Sequence, residues 1–266
     1  MLVGLERQSL PPDEVIIALM QDEIPEFLKD FSLPVRTVKV TGGKLPLAKA
    51  RNAAADAAQG ELLIFLDVDC IPHPGFVEAA SEAIEDGRVL MGDCRYLDAE
   101  TPGHLPFEEL WQKAERHPAR LGGELAGAPV AVSDMSEFWS LVFALERNLY
   151  ERSGGFDETF EGYGGEDTDF ALALGKAGGA LTFVPAMRAV HQWHPVSKPP
   201  LQHFADVITN AERFRRKHGR WCMEYWLEQF EREGYIAWTE DRVEVLRQPS
   251  DDDFERARAP RTVRFS

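Results

Sequence analysis

Apolar and polar positions along this chain switch between two periods. Residues 14–20 and 61–66 are nearly unbroken apolar runs bounded by Pro, Gly or acidic residues, which predicts strands buried on both faces. Residues 34–40 alternate and predict a second strand after the first. Residues 47–58 are Ala-rich with good helix formers, 76–84 predict another helix, and 88–91 a further short strand. Residues 2–9 read as the end of an amphipathic helix. The order strand, strand, helix, strand, helix, strand predicts the α/β class, with a mostly parallel central sheet flanked by helices.

The later half is less regular. Residues 95–137 carry scattered Pro and Gly around one helix at 107–115, which predicts a long excursion over the active face. A strand is expected at 138–145, a turn at 153–157, a helix at 166–177, a strand at 181–184 and an extended segment at 188–192. Two helices, 201–218 and 221–233, join at Gly219; Trp221, Tyr225, Trp226 and Phe230 recur at helical spacing and read as core. Residues 248–266 are charged and predict a loose tail. The resulting division is a main domain 1–200 (halves 1–95 and 96–200), a helical extension 201–247 and a flexible tail 248–266.

A formal net charge of −16 over 266 residues argues against nonspecific nucleic-acid binding. Cys70, Cys94 and Cys222 form no C-x-x-C pair, so neither a disulfide framework nor a zinc knuckle is indicated, and a reducing cytoplasm fits best. No apolar run approaches the roughly 20 residues needed to span a bilayer, and the first residues do not form a signal peptide. One basic patch, 212–221, is either a solvated helix face or a peripheral docking surface for anionic lipid head groups at the inner membrane face.

The run at 61–66 ends in Asp67-Val68-Asp69. Side chains alternate along a strand, so the two carboxylates leave on the same side, and ligands of open α/β sheets sit beyond the strands' carboxyl ends. Such a pair holds a hard cation, Mg²⁺ or Mn²⁺, that grips a diphosphate; the alternative is a plain surface turn. Gly164-Gly165 allows close backbone approach to a ligand, and Glu166, Asp167 and Asp169 follow where a helix begins. These acids are either helix caps or supply a general base. His191 and His194 are candidate ligands completing an oxygen-rich shell, His191 the stronger, against a structural role for each.

Three motifs in order carry a resemblance: Lys49-Ala50-Arg51-Asn52 leading to Phe65-Leu66-Asp67-Val68-Asp69, then Gly154-Gly155-Phe156-Asp157 leading to Gly162-Tyr163-Gly164-Gly165-Glu166-Asp167, then His191. Over residues 1–200 the chain resembles family-2-type glycosyltransferases of the GT-A fold. Its later half is similar to β-1,4-galactosyltransferases and polypeptide N-acetylgalactosaminyltransferases. The resemblance implies that Asp69 and His191 bind the metal, with Asp67 at the ribose or on a metal-bound water. It implies that Arg51 and Gly165 lie at the nucleotide sugar, and that Glu166, Tyr163 and Trp139 bind the acceptor. Asp167 falls on the catalytic base.

The implied reaction is inverting transfer of a hexosyl group, galactose-like, from a nucleotide diphosphate sugar (a UDP-sugar) to the hydroxyl of a sugar or lipid-linked sugar. Two departures stand out. Met1 falls inside the family's first helix, so the family's first strand is expected to be absent, leaving exposed sheet edges and poor stability or pairing with a partner. Trp139-Ser140-Leu141 stands where relatives often carry a glycine, which implies a different or tighter sugar pocket. Competing readings are a sugar-1-phosphate nucleotidyltransferase and a non-catalytic carbohydrate-binding relative.

Overall fold

The chain starts with α1 (Leu2–Glu6) and two parallel strands, β1 (Val15–Leu19) and β2 (Val35–Lys39), paired from Val15 opposite Val35 to Leu19 opposite Lys39. α2 (Leu47–Ala57) follows and packs on β1, and its small residues Ala48 and Ala55 are buried in the core beside Leu63, Phe143 and Tyr150. Glu14 ties the start of β1 to the entry of the next strand: its carboxylate accepts from the Gln59 and Gly60 amides and pairs with Arg36 at 2.6 Å. The computed structural model describes residues 1–43, 45–119 and 127–265.

The larger sheet contains β3 (Leu62–Leu66), β4 (Cys70–Pro72), β5 (Arg88–Tyr96), β8 (Val142–Glu146) and β9 (Ala180–His191), with the short strands β6 (Glu115–Arg116) and β7 (Val130–Ala131) attached to β5 and β9. Its order is β3-β8-β5-β9-β4. β3 and β5 both run antiparallel to the β8 between them, and β5 pairs with β9 in parallel, so β3, β5 and β9 share one direction. With α3 (Phe76–Ala83), α4 (Phe107–Lys113), α5 (Arg147–Ser153) and α6 (Glu166–Lys176) around it, this is the expected α/β architecture, in which β3, β5 and β9 run parallel and β8 and β4 run against them.

Alternation along β8 divides the core into two layers. Phe143 and Leu145 face Phe138, Tyr150, Phe156 and Phe170 on the side of α5 and α6; Val142 and Ala144 face Val77, Ala80 and Met187 on the side of α3. Phe143 is fully buried and stacks on Phe65 with centroids 4.4 Å apart. Truncating it to alanine would cost about 3–5 kcal/mol.

β1 and β3 do not pair. Among the described residues each is bonded on one side only, and a cleft of about 1430 Å³ is lined by residues of both. This corrects the expectation that the 61–66 strand is buried on both faces: only Leu63 is buried, because the outer edge of β3 opens to the cleft. The two extended segments at 181–184 and 188–192 are one strand. Gly92 pairs with Val184 and Asp93 with Arg188, so the intervening residues bulge out around a Pro and read as a break. Of the excursion expected over 95–137, residues 120–126 lie outside the described residues.

The C-terminal part comprises α7 (Phe204–His218), α8 (Glu224–Arg232), the hairpin strands β10 (Ile236–Trp238) and β11 (Val243–Val245), and α9 (Asp251–Ala257). Gly219 ends α7 at φ 71°, a left-handed conformation that suits glycine. The tail expected to be loose is folded. Ser250 and Asp253 form a capping box on α9, Arg247 pairs with Asp253 at 2.6 Å, and Trp193 donates to the Val263 carbonyl at 2.9 Å. The basic run at 212–221 is likewise engaged internally: Lys217 reaches Asp157 and Asp169, His218 reaches Asp169, and Arg215 reaches Asp241. Arg216 remains largely exposed. The aromatic series divides too, with Phe230 buried, Trp226 half-buried and Tyr225 exposed.

Candidate active site

Strand register brings distant residues together at one lip of the cleft. β4 pairs antiparallel with β9, Cys70 opposite His191, which sets Asp69 beside a residue more than a hundred positions away. The Gln192 amide locks this by donating to the Asp69 carbonyl at 2.9 Å. Asp69 Oδ2 lies 3.3 Å from His191 Nε2, and candidate ligand atoms of Asp69, His191 and His194 lie within 4.8 Å of one another. Burial works to raise the Asp69 carboxyl, but the His191 hydrogen bond and charge, with His194 adding, hold it below its ordinary value. His191 is buried against the Tyr96 ring, 4.9 Å away, and its Nδ1 has no hydrogen-bond partner among the described residues.

A carboxylate with two imidazoles, one of them buried with an uncommitted nitrogen, is a donor set that fits a Mn²⁺-like ion better than an all-oxygen Mg²⁺ site. Asp67 is not in this group. Its amide donates to the Leu141 carbonyl at 3.0 Å, and its carboxylate faces Arg51 Nη2 at 3.5 Å. Among the described residues the group that could hold a metal ion is Asp69, His191 and His194, while Asp67, on the other side of the tight turn closed by the Cys70 amide on the Asp67 carbonyl, faces Arg51.

Arg51 links the two lips. It extends from α2, stacks near Phe156, and donates to Glu166 Oε1 at 3.2 Å as well as facing Asp67. Burial and the neighbouring Asp167 push the Glu166 carboxyl up to about 7, with Arg51 opposing. Burial likewise raises the Asp67 carboxyl despite Arg51.

α6 begins at Gly165, which has φ 89°. Gly164 has φ 90°, and a Cβ there would collide with Met223 Sδ. The three acids behind this turn have different partners. Glu166 meets Arg51, and Asp169 is buried against His218 at 2.7 Å and Lys217 at 2.8 Å. Asp167 lines the cleft and accepts from the Thr168 amide at 2.7 Å. Tyr163 stacks on His203 with centroids 4.2 Å apart, and Trp139 meets His117 edge-on at 5.0 Å; both line the cleft.

Several lining residues escaped the sequence reading. Tyr96 was hidden in a core strand. Arg264 and Phe265 belong to the tail, yet Phe265 packs on Tyr96 and His117, and Arg264 pairs with Asp98 and Glu115 at 3.2 Å each. No local pattern marks them.

Solved structures with the same fold include GT-A glycosyltransferases. GalNAc-T7 with UDP, GalNAc and Mn²⁺ superposes with a TM-score of 0.52 at 17% identity, covering 83% of this chain and 51% of that one. S. aureus TarS 1-349 in complex with UDP-GlcNAc gives 0.55 at 16% identity, covering 81% and 62%.

The chain belongs to glycosyl transferase family 2, whose model matches residues 2–136, just over half its length. Residues 130–195 match the N-terminal domain of galactosyltransferase. Validoxylamine A glucosyltransferase of Streptomyces hygroscopicus subsp. limoneus is 27% identical over 241 residues, covering 80% of this chain and 52% of that protein. The chain spans about half the length of this curated relative. No helix among the described residues is long and apolar enough to cross a membrane.

Proposed function

We propose that this chain is a metal-dependent inverting hexosyltransferase that uses a UDP-sugar, with a galactose-like sugar as the leading donor, and glycosylates a hydroxyl of a sugar or lipid-linked sugar. One observation carries the reading: the Asp69–His191–His194 group and the Asp167 carboxylate line the same cleft from opposite sheet and helix ends. A divalent cation held at Asp69, His191 and His194 would offset the charge growing on the departing diphosphate.

Asp167 is the proposed base, taking the acceptor proton as the oxygen attacks the anomeric carbon. Its position supports this role, since Asp167 lines the cleft with no basic side chain bonded to it among the described residues, while Glu166 and Asp169 are held by basic partners. Asp67, Arg51 and Gly165 are assigned to the nucleotide sugar, and Glu166, Tyr163 and Trp139 to the acceptor. That a relative is named a glucosyltransferase, and that a fold neighbour was solved with UDP and Mn²⁺, supports the donor and metal classes.

The test is UDP release from a panel of UDP-hexoses with Mn²⁺ or Mg²⁺, with and without a chelator. Asp167→Asn should lower transfer by about 10²–10⁴-fold while leaving UDP binding intact; transfer at the wild-type rate would remove the base assignment. One rival is a non-catalytic carbohydrate-binding relative. Sugar binding without UDP release would select it, and pyrophosphate release would select a nucleotidyltransferase.

A further inference from the structure

The first turn of α8 sits directly on the glycine turn that opens α6. Gly164 has φ 90°, a conformation that favours glycine, and a Cβ there would meet Met223 Sδ and lie 3.5 Å from Trp226 Cζ3. Met223 itself has φ 56°, left-handed backbone in a residue with a side chain, which costs of order 1–3 kcal/mol and persists only where the surroundings impose it. The Trp226 and Leu227 amides both donate to the Met223 carbonyl, at 2.9 and 3.2 Å, so the strained residue starts the helix. α8 is thereby fixed with Leu227 and Phe230 in the core and Trp226 turned onto the cleft.

Beyond Trp226, Tyr225 is 65% exposed at the cleft wall, although the opposite face of the same helix is fully buried. Tyr163 connects this wall to the acidic helix start, tilted against Trp226 at 5.6 Å and stacked on His203. Aromatic faces of this kind stack on the C–H faces of pyranose rings, and Tyr and Trp combine apolar faces with polar tips suited to a wet sugar surface. Tyr163 runs directly into Gly164, Gly165, Glu166 and Asp167, which line the same cleft, and the acids beside this wall disfavour an anionic second ring.

Resting on the assignment of Asp167 to the acceptor hydroxyl, we propose that Tyr163, Tyr225 and Trp226 form a stacking subsite for a second, neutral sugar ring. The acceptor class is then an uncharged oligosaccharide or glycoside of at least two rings. One ring sits at Glu166 and Asp167, and the next lies on the α8 wall. Tyr225 and Trp226 determine acceptor specificity without touching the reacting atoms.

The experiment titrates the full chain with maltotriose, cellotriose, mannotriose and triacetylchitotriose, each against its monosaccharide, by calorimetry and tryptophan fluorescence. At least one trisaccharide should bind on the order of tenfold more tightly than its monosaccharide, and Tyr225→Ala and Trp226→Ala should each erase most of that difference. Trp226→Phe, which keeps an aromatic face, should restore it, and UDP binding reports that each variant is folded. Equal binding of trisaccharides and monosaccharides, or tight binding that survives both alanine variants, overturns the subsite.

Asp167→Asn separates the two levels. If it binds the trisaccharide normally but transfers nothing, both readings stand. If it transfers at the wild-type rate while the α8 variants lose binding, the base assignment falls and the subsite stands. If a monosaccharide is glycosylated as well as any trisaccharide, the subsite falls and the enzyme reading stands.

Discussion

Arg51→Met removes the guanidinium between Asp67 and Glu166 while keeping an apolar stem of similar length. The Arg51 and Glu166 side chains are only 12% and 8% exposed, so the substitution strips the partner from a buried carboxyl. Breaking such a pair typically costs about 3–5 kcal/mol, but Glu166 has an escape, since its carboxyl already sits at about 7 with Arg51 in place. In the wild type, the folded state holds this proton more tightly than the unfolded chain does. Stability therefore falls as pH rises from about 4.5 to 7 and then levels off.

Without Arg51 the folded value rises further, and the fall continues past neutrality at about 1.4 kcal/mol per pH unit. Through Glu166, the variant should thus lose little extra below pH 6 but about 2–3 kcal/mol more at pH 9 than at pH 7. With a urea slope of about 2 kcal/mol/M, that moves the midpoint by about 1 M or more. Urea titrations of both proteins at pH 5.5, 7 and 9 read this directly, and Arg51→Met/Glu166→Gln should remove the part that Glu166 carries, leaving what Asp67, which also loses Arg51, contributes. Parallel stability profiles for wild type and Arg51→Met, or a pH dependence that Glu166→Gln leaves unchanged, would refute the reasoning.

Asn52 bonds both the amide and carbonyl of Phe156 at 2.9 Å and accepts from the Tyr150 hydroxyl at 2.6 Å. Asn52→Ala leaves these groups unsatisfied and should cost about 2–4 kcal/mol in urea unfolding. For Asp157, burial acts to raise the carboxyl, but bonds from Lys217 and Thr159 bring it down to about 2. The stability it contributes is present above pH 4 and lost between pH 4 and 2, so Asp157→Asn should flatten that acid limb in thermal melts. Asp253→Ala removes the α9 capping box and the Arg247 pair, and should make residues 248–265 susceptible to limited proteolysis that spares the wild type.

What could be read from the sequence was local. The apolar run into Asp67-Val68-Asp69 announces a strand end, and Gly164-Gly165 before three acids announces a helix start, because period and turn chemistry act over a few residues. The partners of those acids were not readable. Asp169 looked like a companion of Asp167 until His218 and Lys217 were found on it, nearly fifty residues later. The same pairs explain why 212–221 looked like a free basic patch. The tail read as loose because Arg247 and Asp253 are charged, yet they neutralise each other across a folded turn. β4 was missed since three residues ending in Pro72 resemble a turn, although its register seats Asp69 beside His191. His191 could be proposed as a ligand from the sequence but not its register opposite Cys70, and His194 received less weight than its place beside it supports.

The central claim is the cation at Asp69, His191 and His194, and manganese binding tests it most directly. Free Mn²⁺ in a titration of the purified chain with UDP present is followed by electron paramagnetic resonance, for wild type, Asp69→Asn and His191→Ala. The expected result is one bound Mn²⁺ per chain, weakened by about 10–100-fold or more in each variant, with Asp167→Asn binding as wild type. Equal Mn²⁺ affinity in all four proteins would contradict it.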